Sequence, residues 1–153
     1  EEEKLNLDIF KKRCKDIFQK YPFIVMENEK ELIYGYAYLN AFNQRNAYKK
    51  TDDLSIYVHK DHLHEHVGKI LLQEIEKMAL KYNIANIISI VTSENQNSFN
   101  FHLKNGLVLE GTIHDVAIKF NKIISVNYFK KAIGKLSNEK NIKTSNELTT
   151  ENF

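Results

Sequence analysis

The chain has one cysteine, Cys14, one proline, Pro22, and five glycines among 153 residues. A lone thiol closes no disulfide within the chain and builds no cysteine-based zinc site. It suits a reducing compartment, and the expected location is cytoplasmic. So few glycines and prolines leave no collagen-like tract, and no internal repeat or Gln-rich stretch is present. No run of about 18 apolar residues occurs, so no membrane-crossing helix is expected. A signal peptide is not visible either. Arginine is scarce, at Arg13 and Arg45 alone, which reads as a compositional bias of the source. The net charge of +2 demands no nucleic-acid partner. A local anionic ligand remains compatible with it.

What is present is the mix of a globular protein, 42% hydrophobic and 27% charged. The length suits one compact domain, expected over residues 1–133 and followed by a polar tail over 134–153. Leu5, Ile9, Phe10, Cys14, Ile17 and Phe18 recur at helical spacing, predicting an amphipathic helix over 5–20 that Pro22 ends. Phe23 to Met26 and Leu32 to Leu39 flank a polar turn and read as an antiparallel hairpin. Residues 40–51 read as a loop, and Leu54, Ile56 and Val58 mark a strand over 53–59. Ile70, Leu71, Ile75, Met78 and Ala79 then form a helical stripe from Gly68 to about Tyr82. Residues 84–91 are apolar at nearly every position, as in a strand buried on both faces. A helix is predicted over 95–105 with Gly106 as its stop. Two β-rich runs, 107–120 and 123–129, are joined by a tight turn at Asn121 and Lys122. Strands on either side of an α/β crossover imply a mixed α/β sheet with helices on its faces.

One junction carries chemistry. The strand 53–59 feeds the helix near Gly68 through a short loop. Unpaired N–H groups and the helix dipole make such a start an anion site, with Lys60 and Lys69 adding positive charge and Gly68 allowing close approach. An ordinary β-to-α loop has the same outline.

The segment TDDLSIYVHKDHLHEHVGKILLQEIEKMA resembles the acetyl-CoA-binding segment of the GNAT acetyltransferase superfamily, where a strand leads into a Q/R-x-x-G-x-G/A loop and a helix. ENQNSFNFHLKNGLVLEG resembles that superfamily's N-x-x-S-x-x-L-(Y/H)-x-x-x-G-(F/Y) stretch. QRNAYKKTDD resembles the R-x-A-Y loop of the phosphinothricin acetyltransferase branch. The resemblance spans about residues 17–131. It implies a GNAT-like, mostly antiparallel mixed sheet with helices on both faces. The family's first strand and first helix have no counterpart before Glu1. Leu63 and His66 stand where the family's loop has Gln or Arg and its first Gly, so only Gly68 matches there. Ile124 and Ser125 stand where many members of the branch have a His-Asp pair.

The resemblance further implies an acyltransferase that moves an acetyl group from acetyl-CoA, as co-substrate, to the primary amine of a small amino-acid-like molecule by direct attack. Asp53 takes the place of the branch's general base, acting through a water. An amine arriving as an ammonium must lose a proton before it attacks. His102 would assist the leaving thiolate, a task its titration range suits. Backbone groups of Ile56, Tyr57 and Val58 would hold the pantetheine arm, provided the strands around them splay apart. His64, Glu65, His66, Val67, Gly68 and Lys69 would hold the pyrophosphate, and Asn95 the pantetheine. Arg45 and Tyr48 would meet the substrate, since a guanidinium binds two carboxylate oxygens at once. Each residue also has a plain structural reading: a solvated turn for Asp52 and Asp53, a half-buried helix histidine for His102, an N-cap for Asn95, packing for Tyr34, Tyr36 and Tyr38.

His59, His62, His64 and His66 crowd eight positions, but their spacing matches no zinc motif, and no metal is expected. The competing reading is a non-catalytic binding module of the same fold with an altered coenzyme loop. A missing first strand would leave an edge or helix face for a partner chain, so a homodimer is a further expectation.

Overall fold

The computed structural model describes Ile9, Lys12, Lys15 and Gln19, then residues 21–63 and 65–136. Those four early positions are helical and exposed. Ile9, expected on the apolar stripe, is 44% exposed. The rest of the 5–20 segment, Cys14 included, and the tail over 137–153 lie outside the described residues.

Six strands form one sheet: β1 Phe23–Glu27, β2 Ile33–Ala41, β3 Thr51–Val58, β4 Asn86–Thr92, β5 Val108–Lys119 and β6 Lys122–Ala132. Their order is β1-β2-β3-β4-β6-β5. All neighbours are antiparallel except β3 and β4. That parallel pair needs a crossover, supplied by helix α1, Val67–Lys81. Helix α2, Gln96–Lys104, follows β4. Short 3-10 turns occupy Asn46–Tyr48 and Lys60–His62.

Strand β2 shows how sequence dictates burial. Ile33, Gly35, Ala37 and Leu39 are buried while Tyr34, Tyr36 and Tyr38 between them are half-buried, the period-2 alternation of a pleated strand. Leu54 of β3, Ile87 and Val91 of β4, Leu71 and Ile75 of α1, and Phe129 of β6 form one apolar cluster. Phe99 and Phe101 of α2 pack against it. Both described helices therefore cover the same face of the sheet. On the other face Phe23 stacks on Tyr38 (5.1 Å) and Tyr36 on Tyr57 (5.2 Å between centroids).

Several features differ from the sequence reading. Strand β3 starts at Thr51 and not at Asp53, because Asp52 pairs with Ala41 on one side and Ile87 on the other; the alternative of a solvated turn at Asp52–Asp53 does not hold. The β5–β6 turn is Phe120–Asn121, not Asn121–Lys122. Both residues have positive φ, 50° and 61°, as a two-residue turn matched to strand twist requires. Strand β4 is not buried on both faces: Ile87, Ser89 and Val91 are inside, but Ile90 is 44% exposed.

Candidate active site

The parallel pairing of β3 with β4 lasts three residues, Thr51 with Asn86, Asp52 with Ile87 and Asp53 with Ile88. Beyond Asp53 the strands part. The pairing of β3 with β2 continues without a shift from Ala41–Asp52 to Gly35–Val58, so the splay needs no bulge on that side. β4 likewise stays in register with β6 through Thr92–Val126. Each strand keeps its outer partner, and a cleft of about 240 Å³ opens between them. Leu54, Ser55 and Ile56 form one wall, and Ser89 to Thr92 the other. Asn95, Ser98 and His102 of α2 and its cap close the end. An edge of β3 freed from its ladder offers backbone donors and acceptors to an extended ligand, as an added strand would use them.

Asn95 caps α2, its Oδ1 accepting the Ser98 N–H at 3.1 Å, and it also lines the cleft. The expected cap and a cleft position thus coexist. Ile56 lines the cleft. Tyr57 turns its exposed ring to Tyr36.

At the start of α1, His66 is the N-cap and adopts a left-handed conformation, φ 61° and ψ 16°. This is the backbone state that glycine reaches without cost. The first intrahelical bond runs from the Ile70 N–H to the His66 carbonyl at 3.1 Å. The N–H groups of Val67, Gly68 and Lys69 therefore precede the ladder, an arrangement suited to an anion. Val67 and Gly68 are buried, and Lys69 and His66 are exposed. Gly68 also has a packing reason to be glycine. A Cβ on it would lie 2.8 Å from Phe101 Cε1. Glu65 is held by His62, whose ring stacks on Tyr34. His59 Nδ1 accepts the Asp61 N–H at 3.2 Å. Among the described residues no three metal-ligating side chains converge. His64 lies outside them.

His102 is 1% exposed, not half-buried as a plain helix-face reading has it. Its Nδ1 lies 2.6 Å from the Ser98 carbonyl. A carbonyl only accepts, so Nδ1 carries a proton. Nε2 lies 2.7 Å from Ser89 Oγ. Burial lowers the pKa of the ring, and the Ser98 bond opposes this only in part. The neutral ring thus presents a bare Nε2 to the Ser89 hydroxyl. Sequence reasoning missed Ser89; its signal is a lone hydroxyl at an inward position of the apolar run NIISIVT.

Asp53 stands at the last parallel pair, immediately before the cleft wall begins at Leu54. Burial raises its pKa. Asp52, on the opposite face of the strand, is 8% exposed. Its pKa is pushed up to about 6, first by burial and then by the charge of Asp53. Arg45 and Tyr48 sit in the β2–β3 connection that leads into this pair. Both are exposed, with Tyr48 edge-on to Phe42 at 6.3 Å. Neither belongs to the cleft wall. Ser125 ties β6 to the end of β4: its carbonyl accepts the Ser93 N–H at 2.8 Å.

The acetyltransferase (GNAT) domain family matches residues 1–141. The L-amino acid N-acyltransferase MnaT of Escherichia coli is 26% identical over 110 residues, 72% of this chain and 63% of that protein. The phosphinothricin N-acetyltransferase of Alcaligenes faecalis is 31% identical over 117 residues, 73% of this chain and 57% of that protein. The chain thus spans about three fifths of the length of these curated relatives. Among solved structures, a phosphinothricin acetyltransferase from Sinorhizobium meliloti in complex with acetyl-CoA superposes with a TM-score of 0.74. It is 24% identical and covers 83% of this chain and 69% of that one.

Proposed function

The chain belongs to the acetyltransferase (GNAT) domain family, and from that premise we propose that it transfers an acetyl group from acetyl-CoA to the primary amine of a small amino-acid-like molecule. The observation that carries this reading is the parting of β3 and β4 after Asp53–Ile88. It opens a slot along a free strand edge, with helix-start N–H groups near one end and a carboxylate pair at the other.

In this reading acetyl-CoA is a substrate that supplies the activated acyl carbon. The edge of Ile56 to Val58 and the Asn95 side chain hold its arm. The N–H groups of Val67, Gly68 and Lys69 take the pyrophosphate, with Glu65 and His66 beside them in the chain. Asp53 removes a proton from the arriving ammonium through a water, because the side chain stands just outside the cleft wall. Its raised pKa makes it a better base than an exposed aspartate. Arg45 and Tyr48 approach the acceptor from the connection above. The names of relatives that act on L-amino acids and on phosphinothricin support an acceptor with an amine and an acidic group.

The test is thermal stability with acetyl-CoA, using ATP as an anion control, followed by coenzyme release with L-methionine sulfone as acceptor. Coenzyme at 100 times its dissociation constant adds about 2.7 kcal/mol. At about 2–4 °C per kcal/mol this raises Tm by several degrees. No rise at millimolar acetyl-CoA overturns the reading and favours a binding module of the same fold.

A further inference from the structure

The Nε2 atom of His102 has one partner among the described residues, the Ser89 hydroxyl at 2.7 Å. Two aromatic rings also flank the imidazole. Phe129 lies tilted against it at 5.1 Å and Phe101 edge-on at 5.6 Å between centroids. Nδ1 is committed to the Ser98 carbonyl at 2.6 Å, and the Ser98 hydroxyl stands off at 3.4 Å. Nδ1 is thus committed to the backbone, and among the described residues the one hydrogen-bond partner of Nε2 is Ser89, which lines the cleft wall as His102 lines its end.

Resting on the acetyltransferase reading, we propose that Ser89 is the proton-relay residue of this site, carrying one proton between His102 and the reacting atoms. Asp53 removes the first proton from the ammonium, and the free amine attacks the thioester carbon, forming the C–N bond. The nitrogen then carries one proton too many. Ser89 Oγ accepts it while its own proton passes to His102 Nε2. When the C–S bond breaks, the electron pair stays on sulfur. Ser89 then gives a proton to that thiolate and takes one back from Nε2. The net transfer is one proton from nitrogen to sulfur and, through Asp53, one proton from the ammonium to solvent, with Ser89, His102 and Asp53 returned to their starting state. Nitrogen and sulfur share one carbon at that stage, so one hydroxyl can serve both. Among the described residues, the side chains in hydrogen-bond or ring contact with His102 are Ser89, Ser98, Phe101 and Phe129, none of which titrates in the working range.

The substitution Ser89→Ala tests this with two readouts. Acetyl-CoA binding, read by thermal shift, is expected to match wild type. Coenzyme release with L-methionine sulfone is expected to fall about 10²-fold in kcat, with Ser89→Thr restoring most of it. The second readout needs no acceptor: thiolate absorbance of bound coenzyme A is titrated with pH. With its one hydrogen turned from Nε2 to the sulfur, the hydroxyl favours the thiolate, so the thiol of bound coenzyme A titrates higher in Ser89→Ala than in wild type. Ser89→Cys, close in size and a weak donor, gives the same loss should the alanine variant fail to fold. Unchanged kcat together with an unchanged thiol titration overturns the relay. An acetyl group found on Ser89 by mass spectrometry also overturns it, since Ser89 would then be a nucleophile. Failure of wild type itself to bind acetyl-CoA removes the acetyltransferase reading and this one with it, and is distinct from a defect confined to the variant.

Discussion

The ring of Phe101 fills the space that a side chain on Gly68 would occupy. A Cβ there would stand 2.8 Å from Phe101 Cε1 and 3.2 Å from Cζ. The contact sets how closely the start of α1 approaches α2, and so how the helix-start N–H groups sit relative to Asn95 and His102. Gly68→Ala is expected to destabilise the protein. The helix propensity of alanine returns up to about 1 kcal/mol, but forcing a methyl group into packed space costs about 1–3 kcal/mol. The expected net fall in Tm is a few degrees, with weaker protection by acetyl-CoA. Adding Phe101→Leu, which vacates the ring position, should recover part of both. A Gly68→Ala variant as stable as wild type would show that the helices move apart freely.

Asp53→Asn should leave acetyl-CoA protection intact while lowering kcat by about 10²-fold or more, the usual scale of general-base assistance. Asp53→Glu should retain much of the activity, because a longer carboxylate replaces part of the water bridge. Asp53 has a raised pKa, so the acidic limb of kcat/KM should lie above the ordinary aspartate range. If Asp53→Asn keeps wild-type kcat, the base is elsewhere, and Asp52 is the next residue to change.

Much of this architecture was legible from period alone. The alternation in Leu54, Ile56 and Val58 and the helical stripe of Leu71, Ile75 and Ala79 placed β3 and α1 to within two residues. The splay between β3 and β4 was only a condition in the sequence, because strand separation depends on which outer partner each strand keeps. Ser89 was not legible as part of the site. It sits thirteen residues from His102, and only the packing of α2 onto β4 brings the two together. A glycine at a helix start has two uses, close ligand approach and close packing. The sequence does not contain the position of Phe101, which reveals the second.

His66 holds φ 61° without being a glycine. A side chain in the left-handed region costs roughly 1–2 kcal/mol, and this one belongs to the residue immediately before the helix-start N–H groups. His66→Gly removes both effects. Unfolded-state entropy offsets part of the gain, about 0.5–1 kcal/mol. The net stability change should therefore be small and favourable, while acetyl-CoA affinity rises. His66→Val, with a branched Cβ, should lower stability by more than 1 kcal/mol on the same scale and weaken coenzyme protection. Urea denaturation with and without acetyl-CoA separates the two effects. Weaker coenzyme binding in His66→Gly would mean that the imidazole itself contacts the ligand.

Asp52 and His102 pull the pH dependence of stability in opposite directions. The folded-state pKa of Asp52 is raised from 3.8 to about 6. The folded protein therefore holds that proton more tightly than the unfolded chain. Its favourable contribution is complete below about pH 4 and is lost as pH rises through 6, a loss of at most about 3 kcal/mol. Asp52→Asn cannot ionise, so it should melt higher than wild type at pH 8, and the gain should vanish by pH 4. The pKa of His102 is lowered by burial. Its contribution is complete above the unfolded value near 6.5 and erodes as pH falls below it, because the unfolded chain protonates first. His102→Gln loses packing and hydrogen bonds at every pH, but its Tm should fall less steeply than wild type below pH 6.5. The discriminating measurement is Tm against pH for the two variants side by side. The Asp52→Asn advantage grows toward alkaline pH, and the His102→Gln deficit shrinks toward acid. Parallel curves for wild type and Asp52→Asn would mean that Asp52 titrates as an exposed carboxylate, and that the strand end at Asp52–Asp53 is open to water.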